Sequence, residues 1–226
     1  MNKYSFLIAS ILIIFSFSSH ASLVLDSTRY IFNQDEESIS ALIVNESTDD
    51  FGAQIWVDNI SSTDSSPSFI SSPSFFKIKG KSRQVVRIIN ISDEISDQEE
   101  TVFWLNLQEI PKKKKGSGIS LAIKTKVKLI YRPKSIRDGR VNAESELSIQ
   151  HLPGSKILVN ETPYVFAIGN LYDENDEIVT LNQESTKKLS LFLPGDFVDI
   201  TGLNIKHLNA IDDLGGVEKY ELADGE

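Results

Sequence analysis

Residues 119–131 read Ile-Ser-Leu-Ala-Ile-Lys-Thr-Lys-Val-Lys-Leu-Ile-Tyr, and the rest of the chain is best read outward from this stretch. Odd positions carry Ile119, Leu121, Ile123, Thr125, Val127, Leu129 and Tyr131. Even positions carry Ser120, Ala122, Lys124, Lys126, Lys128 and Ile130, followed by Arg132. Successive side chains of a strand point to opposite faces, so a period of two gives one apolar face and one mostly basic face. At about 3.3 Å per residue the run predicts a strand roughly 43 Å long, whereas strands usually hold about five or six residues. Two readings are open. The whole run fills the core of its own sandwich, or its first part projects along an edge. An exposed apolar edge recruits other chains. On the second reading that hazard is the function: Ile119, Leu121 and Ile123 enter the open core of a partner sheet by β-augmentation. Burying them is worth about 1.5–3 kcal/mol each before ordering costs.

On the N-terminal side of this run, short alternating segments are punctuated by turn residues. They are Leu23 to Phe32, Ile39 to Val44, Phe51 to Val57, Phe75 to Ile78, Arg83 to Ile91 and Thr101 to Leu107. In the third, Phe51, Ala53, Ile55 and Val57 share a face opposite Gly52, Gln54 and Trp56. Lys112 to Gly118 reads as a basic loop. With the long run this predicts an immunoglobulin-like sandwich. Arg132-Pro133 closes it, because proline cannot continue a central strand. The polar stretch Lys134 to Glu144 reads as a linker. The rhythm then resumes at Leu147 to Leu152, Ile157 to Val159, Tyr164 to Ile168, Ile178 to Leu181, Leu189 to Leu193, Phe197 to Ile200, Leu203 to Leu208 and Val217 to Leu222. No long helix and no internal repeat is expected. The fold class is all-β, with one sandwich over 22–142 and a smaller one over 143–226.

Residues 1–21 read as an export leader. Lys3 precedes the apolar run Phe6 to Phe17, and Ser19-His20-Ala21 offers small residues for cleavage. The run is shorter than the roughly 20 apolar residues that span a bilayer, so a soluble, exported protein beginning near Ser22 is expected. The chain holds no cysteine, which excludes disulfides, thiol catalysis and Cys-ligated zinc. Its net charge of −9 argues against nucleic acid as a partner. His151 and His207 sit at no metal-ligand spacing, and no nucleophile elbow, P-loop or dinucleotide fingerprint is present.

Four stretches carry a family resemblance: Leu25-Asp-Ser-Thr-Arg-Tyr-Ile-Phe32, Thr101-Val-Phe-Trp-Leu-Asn-Leu-Gln-Glu-Ile-Pro111, Lys126-Val-Lys-Leu-Ile-Tyr-Arg-Pro133 and Asn160-Glu-Thr-Pro-Tyr164. In order and spacing the chain resembles the periplasmic pilus chaperones of the PapD-like, chaperone–usher type. The resemblance implies two immunoglobulin-like sandwiches set as an L or boomerang around a cleft. It implies pilus subunits and an outer-membrane usher as partners, a periplasmic location, and no cofactor, ATP, catalysis or membrane insertion. Position by position, it assigns Arg29 and Lys128 to the subunit's C-terminal carboxylate. Guanidinium and ammonium both make charge-assisted hydrogen bonds to carboxylates. It assigns Ser117, Ile119, Leu121 and Ile123 to the donor strand, and Glu100, Arg132 and Asp213 to an interdomain ionic network. One departure is Pro73-Ser74, where the family often shows two prolines. The short loop Lys112 to Gly118 resembles the branch that mostly builds rod-like pili.

Two other classes compete. An exported adhesin or carbohydrate-binding module would use surface aromatics such as Trp56 and Trp104, although both lie within strands. A secreted hydrolase would need a converging acid, base or nucleophile, and the sequence offers none.

Overall fold

The structure, a computed structural model, describes residues 22–60, 66–112 and 121–222. The leader, Ser117 and Ile119 lie outside the described residues.

The first unit contains β1 (Leu23–Leu25), β2 (Arg29–Asn33), β3 (Ser38–Asn45), β4 (Phe51–Asn59), β5 (Phe69–Ser72), β6 (Phe75–Ile78), β7 (Arg83–Asn90), β8 (Thr101–Ile110) and β9 (Lys124–Arg132). They form two sheets, β1-β3-β7-β5 and β2-β9-β8-β4-β6. The alternation read from the sequence sets which side chains meet between them. Ala53, Ile55, Leu105, Leu107 and Leu129 from the five-stranded sheet face Ala41, Ile43, Val86 and Ile88, all essentially buried. Phe69 stands edge-on to Phe32 at 5.1 Å and to Phe103 at 4.8 Å, an arrangement aromatic pairs favour.

The segment Leu23 to Phe32, expected as one strand, is two strands in different sheets. β1 pairs antiparallel with β3, and β2 pairs parallel with β9. Asp26-Ser27-Thr28 breaks it, because short polar side chains offer the backbone alternative partners. Asp26 Oδ1 accepts from Tyr30 Oη at 2.5 Å and from Leu42 N at 3.0 Å, and Ser27 Oγ donates to the Arg29 carbonyl at 2.5 Å. The crossing delivers Arg29 to the start of β2. A further strand, β5, was hidden by the serines and prolines around Phe69.

β9 begins at Lys124, so the long run is shorter than its alternation predicts. The backbone of Ile123 still accepts from Glu109 N at 2.9 Å and from Gln108 Nε2 at 3.1 Å. On its other side, β9 is covered by β2 only from Lys128 to Arg132.

The expected linker is ordered. Lys134–Gly139 and Ala143–Glu146 are 3-10 turns, and Asn142 between them takes a left-handed φ of 60°, which asparagine tolerates well. The second unit comprises β10 (Ser148–Leu152), β11 (Ser155–Val159), β12 (Ile168–Tyr172), α1 (Gln183–Leu189), β13 (Phe197–Asp199), β14 (His207–Ile211) and β15 (Val217–Glu221). Its sheets are β10-β11-β13 and β12-β14-β15, closed over Leu147, Ile149, Leu158, Phe166, Phe192 and Leu208.

The strand expected over Leu189 to Leu193 is absent: Leu189 ends α1, and the residues after it form a turn and a single bridge at Phe192. Gln183-Glu-Ser-Thr-Lys-Lys-Leu189 is mostly good helix formers, and Asn182 Oδ1 caps it by accepting from Ser185 N at 2.8 Å. Tyr164 to Ile168 and Ile178 to Leu181 form no full strands. Each contributes an isolated bridge, Phe166 with Phe192 and Ile178 with Tyr172. The expected strand at Leu203 to Leu208 is displaced to His207–Ile211.

Candidate functional site

The two units meet through a small third core in which Val102 and Ile130 of the first pack with Val165, Leu191 and Leu193 of the second. The even-numbered face of β9 is therefore covered at its far end and uncovered toward Lys128, Lys126 and Lys124. Beside that seam lies a cleft of about 930 Å³ lined by Trp104, Lys128, Ile168, Lys187, Leu191 and Ile211, among others.

Arg29 and Lys128 are register partners on β2 and β9 at this seam. Arg29 is 6% exposed; its Nη1 donates to the Ile211 carbonyl at 2.7 Å, and its Nε has no partner. Lys128 Nζ donates to the Ser190 carbonyl at 2.5 Å. Both partners are neutral carbonyls of the second unit, and neither cation forms an ion pair among the described residues. Burial, reinforced by Arg29, pushes the Lys128 ammonium down from 10.5 to about 8. Burial also lowers Arg29, against the pull of Asp213 and Asp212. Desolvated cations with spare donors are suited to an incoming anion.

Glu100, Arg132 and Asp213 lie together. Arg132 Nε donates to Glu100 Oε1 at 2.5 Å, while Nη1 and Nη2 donate to Asp213 Oδ2 and Oδ1 at 2.7 and 3.1 Å. Glu100 Oε2 accepts from Val165 N at 2.8 Å, and Glu100 N donates to the Pro163 carbonyl at 2.8 Å. Burial pushes the Glu100 carboxyl up, with Arg132 opposing. Burial works the same way on Asp213, but hydrogen bonds and charge from Arg132, backed by Arg140 and Arg29, outweigh it and hold that carboxyl below its ordinary value. Asp213 sits in the loop Asp212–Gly216 between β14 and β15. Asp212 Oδ1 accepts from Leu214 N and Gly216 N at 2.9 and 2.7 Å, and Gly215 takes a φ of 89° that a side chain would oppose.

Sequence reading missed two members of this cluster. Arg140 donates to both Glu144 oxygens at 2.9 and 2.7 Å and lies 3.8 Å from Asp213. Their i,i+4 spacing in the supposed linker was the available signal.

Leu121 and Ile123 are 76% and 42% exposed, so neither is sealed in the core of its own sandwich. Among the described residues no group of three His, Cys, Asp or Glu side chains is placed to hold a metal, and no helix is long and apolar enough to cross a membrane.

Residues 22–137 match the family model described as pili and flagellar-assembly chaperone, PapD N-terminal domain. The chaperone protein FaeE of Escherichia coli is 44% identical over 91% of this chain and 80% of its own length. The chaperone protein FanE of Escherichia coli is 39% identical over 98% of each. Among solved structures, the E. coli chaperone DraB aligns with a TM-score of 0.73 at 22% identity, covering 90% of this chain and 97% of DraB. A chain of the Salmonella enterica SafA pilin–SafB chaperone complex aligns with a TM-score of 0.70 at 18% identity, covering 91% and 99%. At those identities the likeness carries the fold alone: two immunoglobulin-like sandwiches.

Proposed function

Because the chain belongs to the family of pili and flagellar-assembly chaperones built on the PapD N-terminal domain, we propose that Arg29 and Lys128 grip the C-terminal carboxylate of a pilus subunit while the start of β9 completes that subunit's sheet. The protein is a chaperone of pilus subunits, which it stabilises and hands to an outer-membrane usher. The observation that carries the assignment of residues is the pair of neighbouring, desolvated cations bonded only to backbone carbonyls.

The strand pattern gives the captured chain a direction. β2 begins at Arg29, and upstream of it the edge of β9 opposite β8, from Lys124 to Val127, has no strand beside it among the described residues. A subunit's last strand fits this vacant line with its carboxylate ending at Arg29. It then runs in the sense of β2, and so parallel to β9. Leu121 and Ile123, with Ser117 and Ile119 upstream, are the donor residues that fill the subunit's open core.

Glu100, Arg132 and Asp213 fix the angle between the units, whose limits we place at 22–142 and 143–226. The chain works in the periplasm after removal of residues 1–21. Its family is one of chaperones rather than enzymes. The chain acts without catalysis, ATP, cofactor or nucleic acid, the energy for release coming from exchange of β9 for a better-fitting strand.

Co-expression with a tagged pilus subunit tests this reading. The wild-type chain should co-purify in a one-to-one complex, and Arg29→Ala and Lys128→Ala should each reduce capture by about a hundredfold or more, as for truncation of a buried charge contact. Undiminished capture by both variants would remove the anchor assignment.

A further inference from the structure

The face of the five-stranded sheet beyond the cleft carries a feature that the carboxylate anchor does not use. Lys126, Asn106 and Trp56 form one row across β9, β8 and β4, and Lys128, Trp104 and Asp58 form the next. Lys124 Nζ lies 4.9 Å from the ring centroid of Trp56, and Lys126 Nζ lies 4.2 Å from that of Trp104. Both rings are half-buried and both lysines exposed. Neither lysine forms an ion pair among the described residues. Asp58, in the second row, accepts from Asn106 Nδ2 at 3.0 Å and forms no ion pair with either lysine.

An acidic protein of net charge −9 thus keeps a row of ammonium groups without ion-pair partners on one face. The row is continuous with the cleft, because Trp104 lines it together with Lys128. Over a ring, a lysine is held by the π-face yet keeps its remaining donors free for an anion. A strand laid parallel beside β9 would stand about 4.8 Å away and turn every second side chain to the face of Lys124 and Lys126. Opposite charges across such a pair stabilise it.

We infer that this lysine–tryptophan face is a second seat for the captured subunit. It reads a row of carboxylates on the subunit's terminal strand, Lys126 and Lys124 taking alternate side chains upstream of the anchored terminus. The inference rests on the strand direction argued above. It adds a rule of specificity, that subunits with Asp or Glu on that face are preferred. It also adds a steering charge that speeds encounter.

Trp56 and Trp104 are the two tryptophans of the chain, so fluorotryptophan labelling gives a fluorine NMR signal for each. The probes are synthetic peptides of about ten residues. One alternates Glu and Val with a free carboxyl terminus, a second has Gln for every Glu, and a third is the first with an amidated terminus. The Glu peptide should move both signals and bind about tenfold or more tighter than the Gln peptide at low salt. Lys124→Gln with Lys126→Gln should abolish that difference. Equal affinity for Glu and Gln peptides, including no measurable binding of either, or a Trp56 signal that stays in place, overturns the inference. The amidated peptide separates the two claims: an unaffected affinity there counts against the carboxylate anchor and leaves the preference for Glu standing.

Discussion

Arg29 and Lys128 are register partners on the parallel strands β2 and β9, and each spends its charge on a backbone carbonyl of the second unit. Two desolvated cations placed side by side are costly to keep. The ammonium of Lys128 records the cost: burial and the neighbouring guanidinium bring it from 10.5 to about 8. A folded-state value below the unfolded one means that the charged form opposes folding. That penalty is complete below pH 8 and fades as pH rises toward 10.5. Lys128→Met should therefore leave the free chain slightly more stable at pH 7, raising its melting temperature by about 1–2 °C, while capture falls. Thermal unfolding beside a capture assay reads both. A variant that lowered stability and capture together would point to a structural role.

Capture itself should depend on pH. A carboxylate needs the charged ammonium, so above pH 8 affinity for a subunit should fall about tenfold per pH unit until the value in the complex is reached. Lys128→Arg, which stays charged, should flatten this fall. Calorimetric titrations between pH 7 and 10 measure it.

The seam between the units should fail asymmetrically. Arg132→Ala leaves Glu100, 3% exposed, without its cation, and breaking a buried pair in this way costs about 3–5 kcal/mol. The melting temperature should drop by roughly 6–20 °C. Asp213→Asn touches a more exposed group and should cost about 1 kcal/mol. The Asp213 carboxyl is held below 3.8, so its stabilising contribution is complete above pH 3.8 and is lost as pH falls through the lowered value. Asp213→Asn should therefore flatten the acid limb of the stability profile, as followed by denaturant unfolding.

Leu121 and Ile123 should separate function from folding. Both side chains are exposed, so Leu121→Asn with Ile123→Asn should change unfolding free energy by less than about 0.5 kcal/mol each. Subunit capture should be lost, since two of the donor side chains are gone. Urea unfolding and co-purification on the same samples compare the two effects.

How far these groups could be read in advance depended on their physics. Period-two alternation marks strands buried on one face, and it found β3, β4, β7, β8 and the body of β9. It failed where local polar chemistry competes with the ladder. Asp26 and Ser27 split one apparent strand between two sheets, and Asn182 caps α1 in a stretch that carries no period-two signal. Alternation also overran the start of β9, because Leu121 and Ile123 continue the pattern for a partner rather than for their own core. Arg29, Lys128, Glu100, Arg132 and Asp213 entered through motif resemblance, since isolated charges on strands carry no periodic signal. Arg140 and Glu144 were passed over because a polar stretch was read as a linker, although the pair is buried.

Hydrogen exchange, residue by residue, on the free chain and on its complex with a co-expressed pilus subunit tests the central claim most directly. Amides in 121–127 on the open edge of β9 should exchange readily in the free chain and become strongly protected in the complex, while Arg29→Ala should prevent that protection. Unchanged exchange across 121–127 in a stable complex would contradict the account.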